Sequence, residues 1–186
     1  MKTRWGRDEA EEVAAEIVDL MLGTCERIEV AGSVRRRKPD VGDVEIVFAP
    51  KVAPTTRPGE MFPVQTSLAH EMIDSLIGAH VLGVRELKDG RTSKGEQNML
   101  LCHCRTGMPV DFFATTEECW WNYLVCRTGG KLNNIDVCNA ARAKGWKWNP
   151  YGPGFTKENG EIVPARSEAE VFSLVGMAWK EPWERE

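Results

Sequence analysis

The chain has 186 residues, of which 42% are hydrophobic and 28% are charged, and this composition is typical of a globular protein large enough to bury a core. No apolar run approaches the ~20 residues of a membrane-spanning helix, and the N-terminus lacks the apolar segment of a signal peptide, so we expect a cytoplasmic or nuclear protein without a membrane partner. A net charge of −4 argues against tight nonspecific binding of nucleic acid, but it is compatible with a local basic groove.

Helices and strands are predicted to alternate along the first half of the chain. Apolar residues at helical spacing predict a helix over 9–22. Short apolar and β-branched runs predict strands over 28–31 and 44–48. Residues 49–63 carry four prolines and are predicted to be a loop. A second amphipathic helix is predicted over 67–77.

A β-hairpin is predicted next, with strands over 98–104 and 108–113 joined through 105–107. Pro109 predicts that the second strand begins at a sheet edge or with an irregularity, because proline cannot donate a ladder hydrogen bond. Asp111 lies within this second strand.

The C-terminal part is predicted to be mainly helical. Thr115 and Glu118 match a capping box that opens one helix, and a further helix is predicted over 133–143. A Pro/Gly loop and a short strand separate it from a final helix. Ser167 opens this helix with a second capping box, and the helix is predicted to run towards Trp179.

Tryptophan is concentrated in the C-terminal part, since six of the seven tryptophans lie between residues 120 and 183. This change of composition near residue 115 predicts two domains, residues 1–115 and residues 116–186. Because large aromatic rings bury much area, we predict that most of these tryptophans pack in a core.

The six cysteines are scattered without the spacing of a disulfide framework, and we predict free thiols. Cys102-His103-Cys104 is similar to half of a zinc motif. Neighbouring residues on a strand point to opposite faces, however, and no second cluster completes a set of four ligands. We therefore predict no zinc site.

Asp43 and Glu45 are two residues apart on a predicted strand and therefore share one face of it. Two like charges at this range repel, which favours either a raised pKa or a bound cation. A third carboxylate on a neighbouring strand, Asp111, could complete a two-metal site for an in-line phosphoryl displacement. The simpler alternative is a solvated carboxylate edge.

A small turn precedes this pair of carboxylates. Gly32 permits close approach of the backbone to an anion, and Ser33 offers a hydroxyl and an amide. The basic run Arg35-Arg36-Arg37-Lys38 follows directly and is expected to meet the charge of a triphosphate. Together these residues favour a nucleotide site.

Gly32-Ser33-Val34-Arg35-Arg36 and Gly42-Asp43-Val44-Glu45-Ile46-Val47 form a pair of motifs. They resemble the palm signature of the nucleotidyltransferase superfamily and, more narrowly, that of family X DNA polymerases of the polymerase beta type. The resemblance spans most of residues 10–186. Further matching stretches follow in the family's order at residues 93–96, 109–111, 128–129, 134, 163–172 and 179–185.

The resemblance implies an α+β fold, with a nucleotidyltransferase palm of mixed β-sheet and flanking helices followed by a small α/β thumb subdomain. It implies Mg²⁺ as the cofactor, with Mn²⁺ able to substitute. The implied partners are a dNTP and gapped or primer-template DNA, bound by a monomer. Because only a short helix precedes the palm, we expect a minimal palm-plus-thumb enzyme of the kind found in some viruses. If the protein is viral, it would act in the infected-cell cytoplasm.

The resemblance also assigns roles to individual residues. Asp43 and Glu45 would bind both metal ions, and Asp111 would bind the ion near the primer 3′-hydroxyl and help that oxygen attack the α-phosphate. Ser33 and Arg36 would contact the β- and γ-phosphates. The implied nucleotide-binding set is Gly32, Ser33, Arg36, Gly42, Thr128, Gly129 and Asn134, the last of which would touch the incoming base.

Several of these residues have simpler explanations. Gly42 is also typical of a turn before a strand, and Asn134 is also typical of a position near a helix N-cap. Arg35 and Arg37 are interpreted as solvated or phosphate-contacting rather than catalytic.

Three departures from the family's pattern leave the substrate open. Glu45 stands where polymerase beta enzymes carry aspartate. Cys126-Arg127 replaces the aromatic pair that helps to exclude ribonucleotides, and Cys138 replaces an arginine that meets the template strand. Sugar discrimination and fidelity are therefore not fixed by the resemblance.

Three functions are compatible with these residues. The leading hypothesis is template-directed addition of a deoxynucleotide to a DNA 3′-end, in short-gap filling during repair. The first alternative is an untemplated nucleotidyltransferase acting on RNA, a protein or a small molecule. The second is a non-enzymatic DNA-binding module, against which the retained carboxylates argue.

Overall fold

The computed structural model describes residues 3–56, 61–87 and 89–186. The elements of the first half, in chain order, are β1 (Trp5–Gly6), α1 (Arg7–Met21), β2 (Cys25–Ala31), α2 (Gly32–Arg35), β3 (Asp40–Val41), β4 (Val44–Pro50), β5 (Val52–Thr55), β6 (Val64–Ser67) and α3 (Leu68–Gly78). Those of the second half are β7 (Leu82–Val84), β8 (Asn98–His103), β9 (Pro109–Ala114), α4 (Trp120–Thr128), α5 (Lys131–Ala143), β10 (Lys147–Trp148), β11 (Gly154–Thr156), β12 (Ile162–Pro164) and α6 (Glu168–Leu174).

A five-stranded mixed sheet in the order β2-β4-β9-β8-β7 lies at the centre of the N-terminal part. Strands β4 and β9 are parallel, and the other neighbours are antiparallel. In the register of the sheet, Glu45 pairs with Ala31 on one side and with Asp111 on the other. This pairing brings the two acidic residues of adjacent strands side by side.

One face of the sheet is covered by α1 and α3. Val44, Ile46 and Phe48 of β4 point to this face and are fully buried. They belong to one apolar cluster with Ile17 of α1 and Ile73 of α3. The alternation along β4 therefore sends Glu45 to the opposite face.

The opposite face is covered by the C-terminal part of the chain. Trp120, Tyr123 and Leu124 of α4 form a second cluster with Val47 of β4 and Phe113 of β9. Beyond α4, helices α5 and α6 and the small antiparallel sheet β10-β11-β12 enclose a third apolar cluster. The predicted α+β fold is thereby confirmed, whereas the boundary between residues 115 and 116 stays a prediction.

The tryptophans of the C-terminal part differ in burial. Trp120 and Trp148 are buried, and the indole N–H of Trp148 donates to Asn122 Oδ1 at 3.0 Å. Trp179 and Trp183 stay more than 40% exposed. Packing in the core therefore explains only part of the concentration of tryptophan.

The predicted loop over residues 49–63 is wrong over part of its length. Strand β5 pairs with β6 in a two-stranded antiparallel ribbon, and Pro54 stands opposite Gln65. Proline is tolerated there because both strands of a ribbon have an open edge. Residues 57–60 of that prediction lie outside the described residues.

Two predictions for strand and helix starts are also corrected. Strand β9 begins at Pro109, but it lies between β4 and β8 rather than at a sheet edge. The first position of a strand tolerates the missing N–H. The capping box of Thr115 and Glu118 does not form; Thr116 Oγ1 instead accepts from the N–H of Cys119, which precedes α4.

The final helix is shorter than predicted. Ser167 caps α6 as expected, by accepting from the N–H of Glu170. The helix ends at Leu174, and Gly176 follows with a φ of 76°. Glycine adopts this left-handed conformation without strain and so stops the helix before Trp179. Among the described residues, no helix is long and apolar enough to cross a bilayer.

Candidate active site

Three carboxylates lie on the face of the sheet that the C-terminal part covers. Asp43 directly precedes β4, Glu45 lies within it, and Asp111 lies opposite Glu45 on β9. The charge of Asp43 raises the pKa of both Glu45 and Asp111, and the charge of Asp111 also raises the pKa of Glu45. The structure therefore brings the predicted acidic residues together on one surface.

Burial is the main cause that perturbs two of these groups. It raises the pKa of Glu45 to about 7, with a further increase from the charges of Asp43 and Asp111 and an opposing effect of Arg127. Burial likewise raises the pKa of Asp111 to about 6, against the opposing charge of Arg85. Both carboxyl groups are thus held in surroundings that disfavour an uncompensated negative charge.

The oxygens of this site fit a divalent cation. Glu45 Oε2 is buried and, in the described part of the chain, has no hydrogen-bond partner. An all-carboxylate donor set suits a hard ion such as Mg²⁺ or Mn²⁺. In the described ranges, no three His, Cys, Asp or Glu side chains form a metal-holding group as they stand. The metal roles of Asp43, Glu45 and Asp111 therefore stay a prediction.

Gly32 is constrained by its close contact with Glu45. It adopts a φ of 60°, and a Cβ on this residue would lie 3.0 Å from Cδ of Glu45. The turn therefore packs the backbone directly against the acidic side chain. Any larger residue would be strained and would displace Glu45.

A cavity of about 400 Å³ opens beside the carboxylates. Three cationic side chains, Arg36, Arg127 and Lys131, line it together with Asp43 and Glu45. Four members of the predicted nucleotide-binding set reach this cavity, namely Ser33, Arg36, Gly129 and Asn134. Cations facing carboxylates across a cavity of this size suit a ligand that carries both phosphates and bound metal.

The other predicted nucleotide-binding residues, Gly32, Gly42 and Thr128, do not line this cavity. Thr128 is fully buried. Its hydroxyl accepts from Arg35 at 2.8 Å, and its carbonyl oxygen accepts from Arg36 at 2.6 Å. Thr128 thus holds Arg36 at the cavity wall, and direct contact of these three residues with a nucleotide stays a prediction.

Asn134 lies in the first turn of α5, whose N-cap is Gly130. Its side-chain N–H donates to the carbonyl oxygen of Cys126 at 2.9 Å, so that the amide bridges α5 and α4. The residue lines the cavity as well. A role at the incoming base stays a prediction.

Most of the basic run does not face the cavity, contrary to expectation. Arg35 forms a two-pronged ion pair with Glu168, at 2.7 and 2.8 Å. Arg37 stacks on the ring of Trp183 at 3.9 Å, and Lys38 is ion-paired with Glu186. The expected triphosphate contact is therefore wrong for these three side chains, which contact the C-terminal part. The interpretation as solvated or phosphate-contacting is wrong for Arg35, whereas Arg37 is exposed to solvent as expected.

Two arginines next to the carboxylates were not assigned to the site from the sequence. Arg85 donates to Asp111 Oδ1 at 2.7 Å. Arg127 stacks on the ring of Phe113 at 3.3 Å and is the main charge that opposes the rise in the pKa of Glu45. Arg127 was noted only as a departure from the family's pattern, and no local motif marks Arg85.

The mixed sheet that carries the carboxylates is thus covered on one face by the helical C-terminal part of the chain. Residues 123–186 match the DNA polymerase beta thumb family. No curated protein matches the chain.

Solved structures extend the likeness to the whole chain. Two crystal structures of Leishmania infantum polymerase beta, a ternary P/T complex and a ternary gap complex, each superpose with a TM-score of 0.76 at 19% identity. Each alignment covers 99% of this chain; it covers 77% of the polymerase chain in the P/T complex and 71% of that in the gap complex. The resemblance to polymerase beta-like family X enzymes is confirmed, by sequence for the thumb and by fold for the palm.

Proposed function

We propose that the chain is a DNA polymerase of the polymerase beta type, which adds a deoxynucleoside monophosphate to a primer 3′-hydroxyl and fills short gaps during DNA repair. The observation that carries this proposal is the row of carboxylates beside a cationic cavity, with a buried oxygen of Glu45 that lacks a partner among the described residues. The thumb match and the shared fold support the polymerase class.

The proposed reaction needs two divalent metal ions, which activate the attacking hydroxyl and stabilise charge on the phosphate oxygens when they are bound. Asp43 and Glu45 would hold these ions. Asp111 would hold the ion near the primer 3′-hydroxyl and help that oxygen to attack the α-phosphate. Arg36, which Thr128 fixes at the cavity wall, would neutralise the outer phosphates of the dNTP.

A second cavity of about 400 Å³ suits the acceptor strand. It shares Arg127 and Tyr151 with the cavity beside the carboxylates and extends to Asn98 of β8. The rings of Tyr123 and Tyr151 meet edge to face in its wall, with centroids 5.3 Å apart. Tyrosine rings and side-chain amides are groups on which nucleic-acid bases stack and form hydrogen bonds, so this cavity favours a nucleic-acid acceptor.

Untemplated nucleotide transfer is the second candidate function. Arg127 favours it, because a guanidinium at the junction of the two cavities offers hydrogen-bond donors where a hydroxyl-rich sugar or a non-DNA acceptor could bind. The net charge of −4 also lowers the affinity expected for long DNA.

Single-nucleotide extension separates the two candidates. The purified chain is given Mg²⁺ and each dNTP or NTP on gapped, recessed and single-stranded DNA of the same primer sequence. Addition of the complementary dNTP on gapped or recessed DNA, and not on single-stranded DNA, supports polymerase function. Equal addition without a template would select the alternative, and no addition to any DNA would overturn the proposal.

Metal binding is expected to stabilise the protein more at pH 8 than at pH 5.5. The folded-state pKa values of Glu45, about 7, and Asp111, about 6, exceed the ordinary values of 4.5 and 3.8. Without metal, the stability linked to these groups is present at low pH and is lost as the pH rises through their folded pKa values. A bound cation compensates that loss only where the groups are ionised.

Thermal unfolding with and without Mn²⁺ measures this difference. The pH dependence of the Mn²⁺-induced change in Tm should be weaker in Glu45→Gln, which cannot ionise at this position. An equal Tm increase at both pH values in the unsubstituted protein would contradict the assignment of these carboxylates to a metal site.

A further inference from the structure

Arg85 reaches the acidic row from the far edge of the sheet. It directly follows β7, the edge strand, and its N–H donates to the carbonyl oxygen of Leu100 on β8 at 3.3 Å. Leu100 in turn pairs with Asp111 on β9, and Asp111 pairs with Glu45 on β4. Arg85 therefore ends a continuous cross-strand row that leads to the proposed metal site.

The side chain of Arg85 crosses β8 to bind the third carboxylate. Its Nη2 lies 2.7 Å from Asp111 Oδ1, and the two side chains are only 25% and 13% exposed. An ion pair so shielded from water holds its geometry better than an exposed pair, because solvent screens it less. Residue 109, on the same strand and face as Asp111, is a proline and offers no donor to the carboxylate.

We propose that Arg85 is a positioning residue for nucleotide transfer, an inference that rests on the proposed polymerase function. By holding Oδ1, the guanidinium fixes the rotation of the Asp111 carboxylate and directs Oδ2 towards the reacting primer oxygen. Without this contact, the carboxylate would sample orientations that leave the primer oxygen misplaced.

The free donor of the same guanidinium supports this role. Arg85 Nε is buried and has no hydrogen-bond partner in the described part of the chain. A buried donor without a partner is costly in a purely structural ion pair. It is available if an oxygen of the bound substrate joins the contact during the reaction.

The test compares Arg85→Met, Arg85→Lys and the unsubstituted chain in single-turnover nucleotide addition, together with Mn²⁺ affinity by electron paramagnetic resonance. Arg85→Met is expected to lower kcat about 10- to 100-fold, with little change in the KM for the dNTP and without weaker Mn²⁺ binding. Arg85→Lys keeps the charge but loses the planar fork, so a smaller reduction in kcat is expected.

Arg105→Met is the matched control. Arg105 also pairs with a carboxylate, Glu16 Oε2 at 2.9 Å, but it is 70% exposed. Its variant should retain the kcat and Tm of the unsubstituted chain. A folded Arg85→Met variant with unchanged kcat would overturn the proposal, as would a fall in Mn²⁺ affinity that matches the fall in kcat.

Arg85→Lys keeps the proposal testable if Arg85→Met does not fold, since a kcat equal to that of the unsubstituted chain would then overturn it. If the unsubstituted chain adds no nucleotide to any DNA, the polymerase function itself fails, and the role of Arg85 fails with it. If the unsubstituted chain is active and the Arg85 variants have the same kcat, the polymerase function stands and the positioning role alone is rejected.

Discussion

Asp43→Asn and Asp111→Asn are each expected to reduce nucleotide addition by about a thousandfold or more, which corresponds to ~4 kcal/mol of transition-state stabilisation. Each substitution keeps the shape of the side chain but removes a charge that would bind a metal ion. The charge of Asp43 raises the pKa of both other carboxyl groups. Asp111→Asn also leaves the shielded guanidinium of Arg85 without its charged partner, so a lower Tm is expected for that variant. Single-turnover rates and thermal unfolding of each variant measure the two effects.

Asp74→Asn serves as the control for these substitutions. Asp74 pairs with Lys94 and its side chain is 61% exposed, away from the carboxylate row. This variant should keep the full rate. An active Asp43→Asn variant would show that the reaction does not depend on this carboxylate.

Glu168→Gln is expected to lower the free energy of unfolding by about 3–5 kcal/mol, as the loss of one partner does in other buried ion pairs. Glu168 accepts from Arg35 and, at 2.6 Å, from Arg185, whose side chain is 0% exposed. The substitution leaves two guanidinium groups in the interior without a compensating charge. For a chain of this size, we expect the Tm to fall by about 10 °C.

The pH dependence of this loss has a defined sign. Burial alone would raise the pKa of Glu168, but the hydrogen bonds and charges of Arg35 and Arg185 hold it below its ordinary value. The stabilisation is therefore present above the pKa of the unfolded state and is lost as the pH falls through the lower folded value. The difference in Tm between Glu168→Gln and the unsubstituted chain should shrink in acid.

Glu161→Gln is the matched control, because Glu161 pairs with Lys157 at the surface of the thumb. Solvent screens such a pair, so its removal should leave the Tm nearly unchanged. Equal Tm values for Glu168→Gln and Glu161→Gln would contradict a stabilising role for the buried network.

The network around Glu168 joins the palm to the C-terminal residues. Arg35 is the last residue of α2, which follows β2. In the C-terminal part, the N–H of Gly130 donates to the carbonyl oxygen of Arg185 at 2.7 Å. A Cβ at Gly130 would lie 2.4 Å from the backbone of Glu186. Charge pairing and a glycine contact thus hold the wall of the cavity beside the carboxylates against the N-terminal sheet.

The acidic row could be predicted in part from local sequence. The period of two along a strand assigns Asp43 and Glu45 to one face, and Val44, Ile46 and Phe48 to the buried one. That Asp111 stands directly opposite Glu45 depends on the register of a parallel pair between distant strands. No local pattern encodes that register; the resemblance alone indicated it.

The contacts of the arginines could not be predicted in this way. Arg35 and Glu168 are 133 residues apart. Arg85 directly follows β7, and β8 separates β7 from the strand that carries Asp111. A run of basic residues looks the same in sequence whether it meets phosphate or buried carboxylate. The fold decides between these outcomes, because it places the C-terminal segment over Arg35 and Arg37.

Anomalous diffraction from a crystal of the chain with Mn²⁺, a primer-template and a non-hydrolysable dNTP locates the metal ions directly. We expect two Mn²⁺ peaks, both in contact with Asp43 and Glu45 and one of them also with Asp111, with the triphosphate in the cavity beside Arg36. A bound dNTP without metal at these carboxylates, or Mn²⁺ bound only elsewhere, would contradict two-metal nucleotide transfer at this site.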